Sequence, residues 1–151
     1  MLLDKRQILA WEVASNTLGA SPYESDAIDL RNIGIETRDD LNIFVYFRTQ
    51  WDTHTAMTID VVTANDGLLT SGVRVEDTLL SAVNLTSSQI LAGTMFRSRI
   101  PNRRVLGDVT PDTLRYLGIR LTYTGAGAAD EFYSAWVGQY DSIPAGRLEL
   151  S

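Results

Sequence analysis

The chain has no cysteine and a single histidine in 151 residues. Without cysteine there is no disulfide framework, zinc ribbon, thiol nucleophile or iron–sulfur ligation. That composition suits assembly in a reducing cytoplasm without requiring it. One histidine cannot furnish a multi-histidine metal site. Positive charge is also short: 13 Lys+Arg against 19 Asp+Glu leave a net charge of −6. Phosphate backbones repel such a surface, so nucleic acid is not an expected partner. No apolar run approaches the ~18 residues of a membrane-spanning helix. The opening Met1-Leu2-Leu3-Asp4-Lys5-Arg6 places charge where a signal peptide needs an apolar core, so neither a leader nor a membrane partner is expected. Long stretches of helical periodicity are missing as well.

What is present is alternation. From Leu114 to Tyr123, Leu117, Ile119, Leu121 and Tyr123 fall on one face of an extended segment, and Gly118, Arg120 and Thr122 on the other. Ten residues at about 3.3 Å each reach roughly 33 Å, enough to cross a domain, so this is the expected central strand. Thr55 to Val62 alternates in the same way, with Met57, Ile59 and Val61 inward. Asn42 to Thr49 is apolar on both faces up to Arg48, the pattern of a strand covered on both sides. Ile90 to Ile100 puts Ile90, Ala92, Thr94, Phe96 and Ser98 on one face and Gly93, Met95 and Arg97 on the other. Phe132 to Tyr140 supplies a last strand.

Between these runs lie turn signals. Ala64-Asn65-Asp66-Gly67 is the clearest, since Asp-Gly offers the positive φ of a tight hairpin. Leu18 to Pro22, Thr110-Pro111-Asp112, Gly125-Ala126-Gly127 and Pro144-Ala145-Gly146 are further breaks. Gln7 to Ala14 fits helix and strand equally, Ala27 to Leu30 suits a short strand, and Val73 to Leu85 is ambiguous. The expected organisation is an N-terminal arm or wrapping segment over residues 1–30 and a single domain over 31–151. Strands about ten residues apart, joined by turns, favour an all-β two-sheet antiparallel sandwich or jelly roll.

The phrases Leu91-Ala92-Gly93-Thr94-Met95-Phe96, Arg115-Tyr116-Leu117-Gly118-Ile119 and Leu121-Thr122-Tyr123-Thr124-Gly125 come in this order, followed by Tyr133-Ser134-Ala135-Trp136-Val137. With the opening Leu3-Asp4-Lys5 and Ala27-Ile28-Asp29-Leu30, the set resembles the Bbp16-like family of tailed-bacteriophage capsid cement (decoration) proteins. The region Ile100 to Leu114, with Arg103-Arg104, is longer and more basic than the family's turn, and Gly67 to Val83 matches loosely. The resemblance implies a jelly roll with no enzymatic activity and no cofactor. It would bind the outer surface of a major-capsid-protein shell and bridge capsomers in a virion assembled in the bacterial cytoplasm. It also implies self-association, a homodimer first and a trimer next. A ligand that binds only the mature lattice stabilises it by its binding free energy.

Chemistry-bearing residues are sparse. His54, in Gln50-Trp51-Asp52-Thr53-His54, would be the base of a Ser–His–Asp site, yet it looks like a turn residue between two strands. The carboxylate pairs Asp26/Asp29, Asp39-Asp40 and Asp130-Glu131 could serve a glycosidase only if held about 5–9 Å apart across a cleft; solvated surface charge is the plainer reading. Asn65-Asp66-Gly67 lacks the surrounding calcium-loop pattern, and Gly125-Ala126-Gly127 is too short for a phosphate loop. Arg97, Arg99, Arg103 and Arg104 form the basic cluster, either a match for an acidic capsid surface or an ordinary solvated face. Trp11, Tyr23 and Trp51 lie near loops, where they would be interface anchors or core residues. The candidate capsid or subunit contacts are therefore Trp11, Tyr23, Trp51, Arg103 and Arg104. A carbohydrate-binding or host-adhesion module, stacking exposed aromatics on sugars, is the alternative function, and a small jelly-roll enzyme a third.

Overall fold

A computed structural model describes residues 2–3, 7–30, 41–99, 115–139 and 149–150. The strands are β1 (Leu2–Leu3), β2 (Ile8–Ala14), β3 (Tyr23–Glu24), β4 (Ile28–Asp29), β5 (Leu41–Phe47) and β6 (Ala56–Ala64). They continue with β7 (Arg74–Ala82), β8 (Thr94–Arg99), β9 (Tyr116–Thr124), β10 (Phe132–Gln139) and β11 (Glu149–Leu150). One sheet has the order β2-β10-β5-β8. The other has β3-β9-β6-β7, with β4 also paired to β9.

These orders follow from one long hairpin. Its first arm runs β2 to β6 and its second β7 to β10. β2 pairs with β10, β3 and β4 with β9, β5 with β8, and β6 with β7, all antiparallel. Rolling the hairpin sends successive pairs to opposite sheets, and the pairings of β10 with β5 and of β9 with β6 join them. This is a jelly roll. The backbones of β1 and β11 form a separate two-stranded parallel ladder.

Alternation supplies the core. Met57, Ile59 and Val61 on β6 and Leu117, Ile119 and Leu121 on β9 face Ile43, Val45 and Phe47 on β5 and Tyr133, Ala135 and Val137 on β10, all essentially fully buried. Each such side chain is worth about 1.5–3 kcal/mol of transfer free energy. The off-phase residues explain why β5 is apolar on both faces. Phe44 stacks on Trp136 outside the main core, 5.6 Å between ring centroids, with Ile8, Trp11 and Tyr46 packed around the pair.

The segment expected as an N-terminal arm belongs to the sandwich from residue 8 onward. It supplies β2 to one sheet and β3 and β4 to the other, and buries Leu9, Leu18, Ile28 and Leu30. Gln7 to Ala14 was undecidable by period because β2 slips register twice against β10. Glu12, at φ 50, sits in one of these irregularities and donates its N–H to Ser134 Oγ at 2.9 Å.

The β6–β7 turn and the start of β8 differ from expectation. Gly67 does not carry the positive φ of the β6–β7 connection; Leu69 (φ 58) and Gly72 (φ 61) do. The Asp66 carboxylate accepts from Thr70 N–H (2.8 Å), Thr70 Oγ1 (2.6 Å) and Ser71 N–H (2.8 Å), which closes a wider loop. That loop folds Leu69 onto the outer face of the sheet with Val62 and Ala64. Gly118 makes the room, since a Cβ there would strike Leu69 Cδ1. β8 begins at Thr94 rather than Ile90, because Ile90 leaves the strand to be buried from the preceding turn. The stretch from Val73 resolves as strand β7.

Candidate functional site: two edge strands and a buried carboxylate

Among the described residues β7 and β8 each pair with one neighbour only, at the edges of the two sheets. A hydrogen bond from Ser98 Oγ to Asp77 Oδ2, 2.6 Å, links them across the sandwich. Among the described residues the exposed large apolar side chains are Leu68 (77% exposed), Val75, Val83 (82%), Leu91 and Met95, on or beside these two strands. They are spread along the two strands: the β6–β7 register sets Leu68 beyond the Arg74 end of β7 and Val83 beyond its Ala82 end, and Met95 lies on β8 opposite Tyr46. Arg97 and Arg99 project from the exposed face of β8 beside them. Next to Val83 a shallow groove of about 230 Å³ crosses β7, β6 and β9, edged by Ser81, Thr58, Thr122 and Thr124. Sequence reasoning did not single out these side chains; the signal was Val75 and Val83, apolar residues in the segment Val73 to Leu85 whose secondary structure was ambiguous.

Three of the residues expected as contacts are described, and they lie elsewhere. Trp51 is fully buried, against the expectation of an exposed anchor. It packs edge-on to Phe47 (5.0 Å) and Tyr133 (5.8 Å), because the β5–β6 connection turns inward and closes the end of the core. Trp11 is half-buried beside Phe44 and Trp136, and Tyr23 is half-buried, edge-on to Tyr133 at 6.4 Å. Arg103 and Arg104 lie outside the described residues. Of the three described, Tyr23 and Trp51 both touch Tyr133, while Trp11 packs in a separate cluster with Phe44 and Trp136.

The turns at that closed end meet on one carboxylate. Glu131, 3% exposed, accepts from Ser15 Oγ at 2.9 Å, from Asp52 N–H at 2.7 Å and from the Thr53 hydroxyl. Its backbone carbonyl accepts from Ser15 N–H at 2.8 Å. Ser15 Oγ in turn accepts from Ala128 N–H at 2.8 Å. The connections after β2, after β5 and before β10 are therefore tied through one side chain. Gly127 permits the approach, since a Cβ there would overlap the Ser15 backbone. Of the carboxylate pairs noted in the sequence, Asp130-Glu131 is split: Asp130 is exposed and Glu131 buried, so they do not face one another across a cleft.

His54 sits against this clamp. It is 2% exposed, stacked on Trp51 (5.7 Å) and edge-on to Tyr123 (4.9 Å), and neither ring nitrogen has a hydrogen-bond partner among the described residues. Burial lowers its pKa from the ordinary histidine value, opposed by the Glu131 charge. A general base must reach its substrate, and an imidazole walled in by two rings does not. Burial raises the pKa of Tyr123, whose hydroxyl donates to Gly19 O at 2.5 Å. Among the described residues no group of three or more His, Asp or Glu is arranged to hold a metal ion.

Comparison with protein-family models and with curated proteins returns no match.

Proposed function

We propose that this protein is a capsid decoration protein of a tailed bacteriophage. It would bind the outer surface of the major-capsid shell, stabilise contacts between capsomers and act without enzymatic chemistry. The sequence resemblance motivates this reading, and the apolar β7–β8 edge carries it. An exposed strand edge bordered by Leu68, Val75, Val83, Leu91 and Met95 is a liability in a free monomer and an asset in a protein held on a lattice. Many copies on a symmetric shell multiply a modest contact. The residue that a catalytic reading would need, His54, is enclosed by aromatic rings, and Trp51 is not available to stack on a sugar.

The test is co-sedimentation with expanded phage capsids. Leu68→Asp, Val83→Asp and Leu91→Asp are at solvated positions and should each change stability by less than about 0.5 kcal/mol. Combined, they should abolish capsid binding that the parent protein shows. Binding unaffected by the triple substitution would remove the edge from the contact. Glycan affinity without capsid affinity would move the assignment to a carbohydrate-binding module, for which the hydroxyl-lined groove beside Val83 is the available surface.

A further inference from the structure

The buried histidine has a consequence that does not depend on what the outer surface binds. His54 lies at the base of the β5–β6 connection, between Trp51 before it and Thr55 after it. Three backbone contacts seat this connection: Trp51 N–H to Ile90 O at 2.9 Å, Asp52 N–H to Glu131 at 2.7 Å, and Thr55 N–H to Thr124 O at 2.8 Å. The turns packed on it come from β2, from the region before β8, from the end of β9 and from the start of β10.

The titratable groups on these elements are few. Glu131 and exposed Asp130 precede β10, the buried Tyr133 phenol is on β10, Tyr123 is on β9, and exposed Asp52 is on the connection itself. Of these, Glu131 is the buried carboxylate, and its oxygens are already occupied by Ser15, Asp52 and Thr53. A proton on His54 would create a cation with two N–H donors in a site that offers neither nitrogen an acceptor. The cation has two ways out. It can take Glu131 from the donors it now holds, or it can carry the connection into solvent. Both undo the clamp.

We propose that His54 is an acid-sensitive latch: neutral, it lets the β5–β6 connection close the end of the sandwich, and protonated, it releases that connection together with the turns that Glu131 ties. The sign follows from linkage. Burial lowers the folded pKa below the unfolded value near 6.5, so below pH ~6.5 the unfolded or opened state takes up the proton first. Closure is fully stable above that value and weakens as the pH falls toward the folded pKa, by up to about tenfold in the equilibrium constant per pH unit for one proton.

The experiment uses the fact that this is the only histidine in the chain. Its imidazole resonances can be titrated by NMR in the intact protein with no assignment problem. Amide hydrogen exchange at Trp51, Asp52 and Thr55 is followed from pH 8 to pH 5, after correction for the intrinsic pH dependence of exchange. The same exchange series on His54→Phe keeps an aromatic ring and removes the proton. The expected result is a titration midpoint below 6.5, and a loss of protection at these amides in acid that the phenylalanine variant lacks. A midpoint at or above 6.5 would overturn the proposal. So would protection at the three amides that does not change with pH, or that changes equally in both proteins. Should His54→Phe fail to fold, the titration and exchange of the parent protein still decide.

Discussion

Two carboxylates hold turns in this protein, and they work in opposite settings. Asp66, in the β6–β7 turn, accepts from Thr70 and Ser71, four and five residues away. Glu131 accepts from Ser15, Asp52 and Thr53, 116, 79 and 78 residues away. Asp66 faces water, which competes for every bond it makes. Glu131 is buried, and so is Ser15, whose hydroxyl would otherwise be stranded without water; Asp52 and Thr53 are themselves exposed residues. The first carboxylate shapes a local loop; the second fastens the ends of distant strands. The turn around Asp66 has a different anchor, Leu69, seated over Gly118.

Removing the distant fastener should have the largest effect. Glu131→Ala strands the buried Ser15 hydroxyl and removes the acceptor of the Asp52 N–H and Thr53 hydroxyl, and should cost about 3 kcal/mol in urea unfolding, with Trp51 fluorescence shifted toward that of an exposed indole. Glu131→Gln keeps an acceptor and should lose less. Equal losses in the two variants would show that packing, and not the carboxylate, holds these turns.

An intermediate effect tests the apolar anchor of the other turn. Gly118→Ala forces a methyl group against Leu69 and should cost about 2 kcal/mol. Leu69→Ala opens a cavity, and its cost is also about 2 kcal/mol or more. The two changes should be clearly less than additive when combined, because each relieves the other. Strict additivity would separate Leu69 from Gly118.

The smallest effect belongs to Asp66→Ala, a slight fall in thermal midpoint at pH 7. Hydrogen bonds from Thr70 and Ser71 hold the Asp66 carboxyl below its ordinary pKa. Its contribution is therefore present above the unfolded value near 3.8 and lost as the pH falls through the lower folded value. Parent protein and variant should converge in stability at the acid end of that range. A loss at pH 7 matching that of Glu131→Ala would erase the contrast between exposed and buried carboxylates.

The same contrast marks what could be read in advance. β6 and β9 were legible because the inward residues of each recur with a period of two, Met57, Ile59 and Val61 on one and Leu117, Ile119 and Leu121 on the other. β10 was legible on the same ground, and β5 because both of its faces are covered. β2 was not, since its register slips and the left-handed Glu12 break the period. β7 was ambiguous for a related reason: it also slips twice against β6, which scrambles its alternation. Trp51 and His54 follow a charged, polar run and have the look of a surface turn. Their burial depends on Glu131, 80 and 77 positions further on, and no local pattern announces that.

The order of residues was sufficient for the all-β character, for most strands and for the inward face of the central ones, because a pleated strand with one dry side imposes a two-residue rhythm that neighbouring side chains cannot disguise. Only the folded chain decided which turn is buried, which carboxylate loses its water and which edge stays bare. Those outcomes depend on contacts across many tens of residues, where the cost of desolvation is set by whatever the rest of the chain brings alongside.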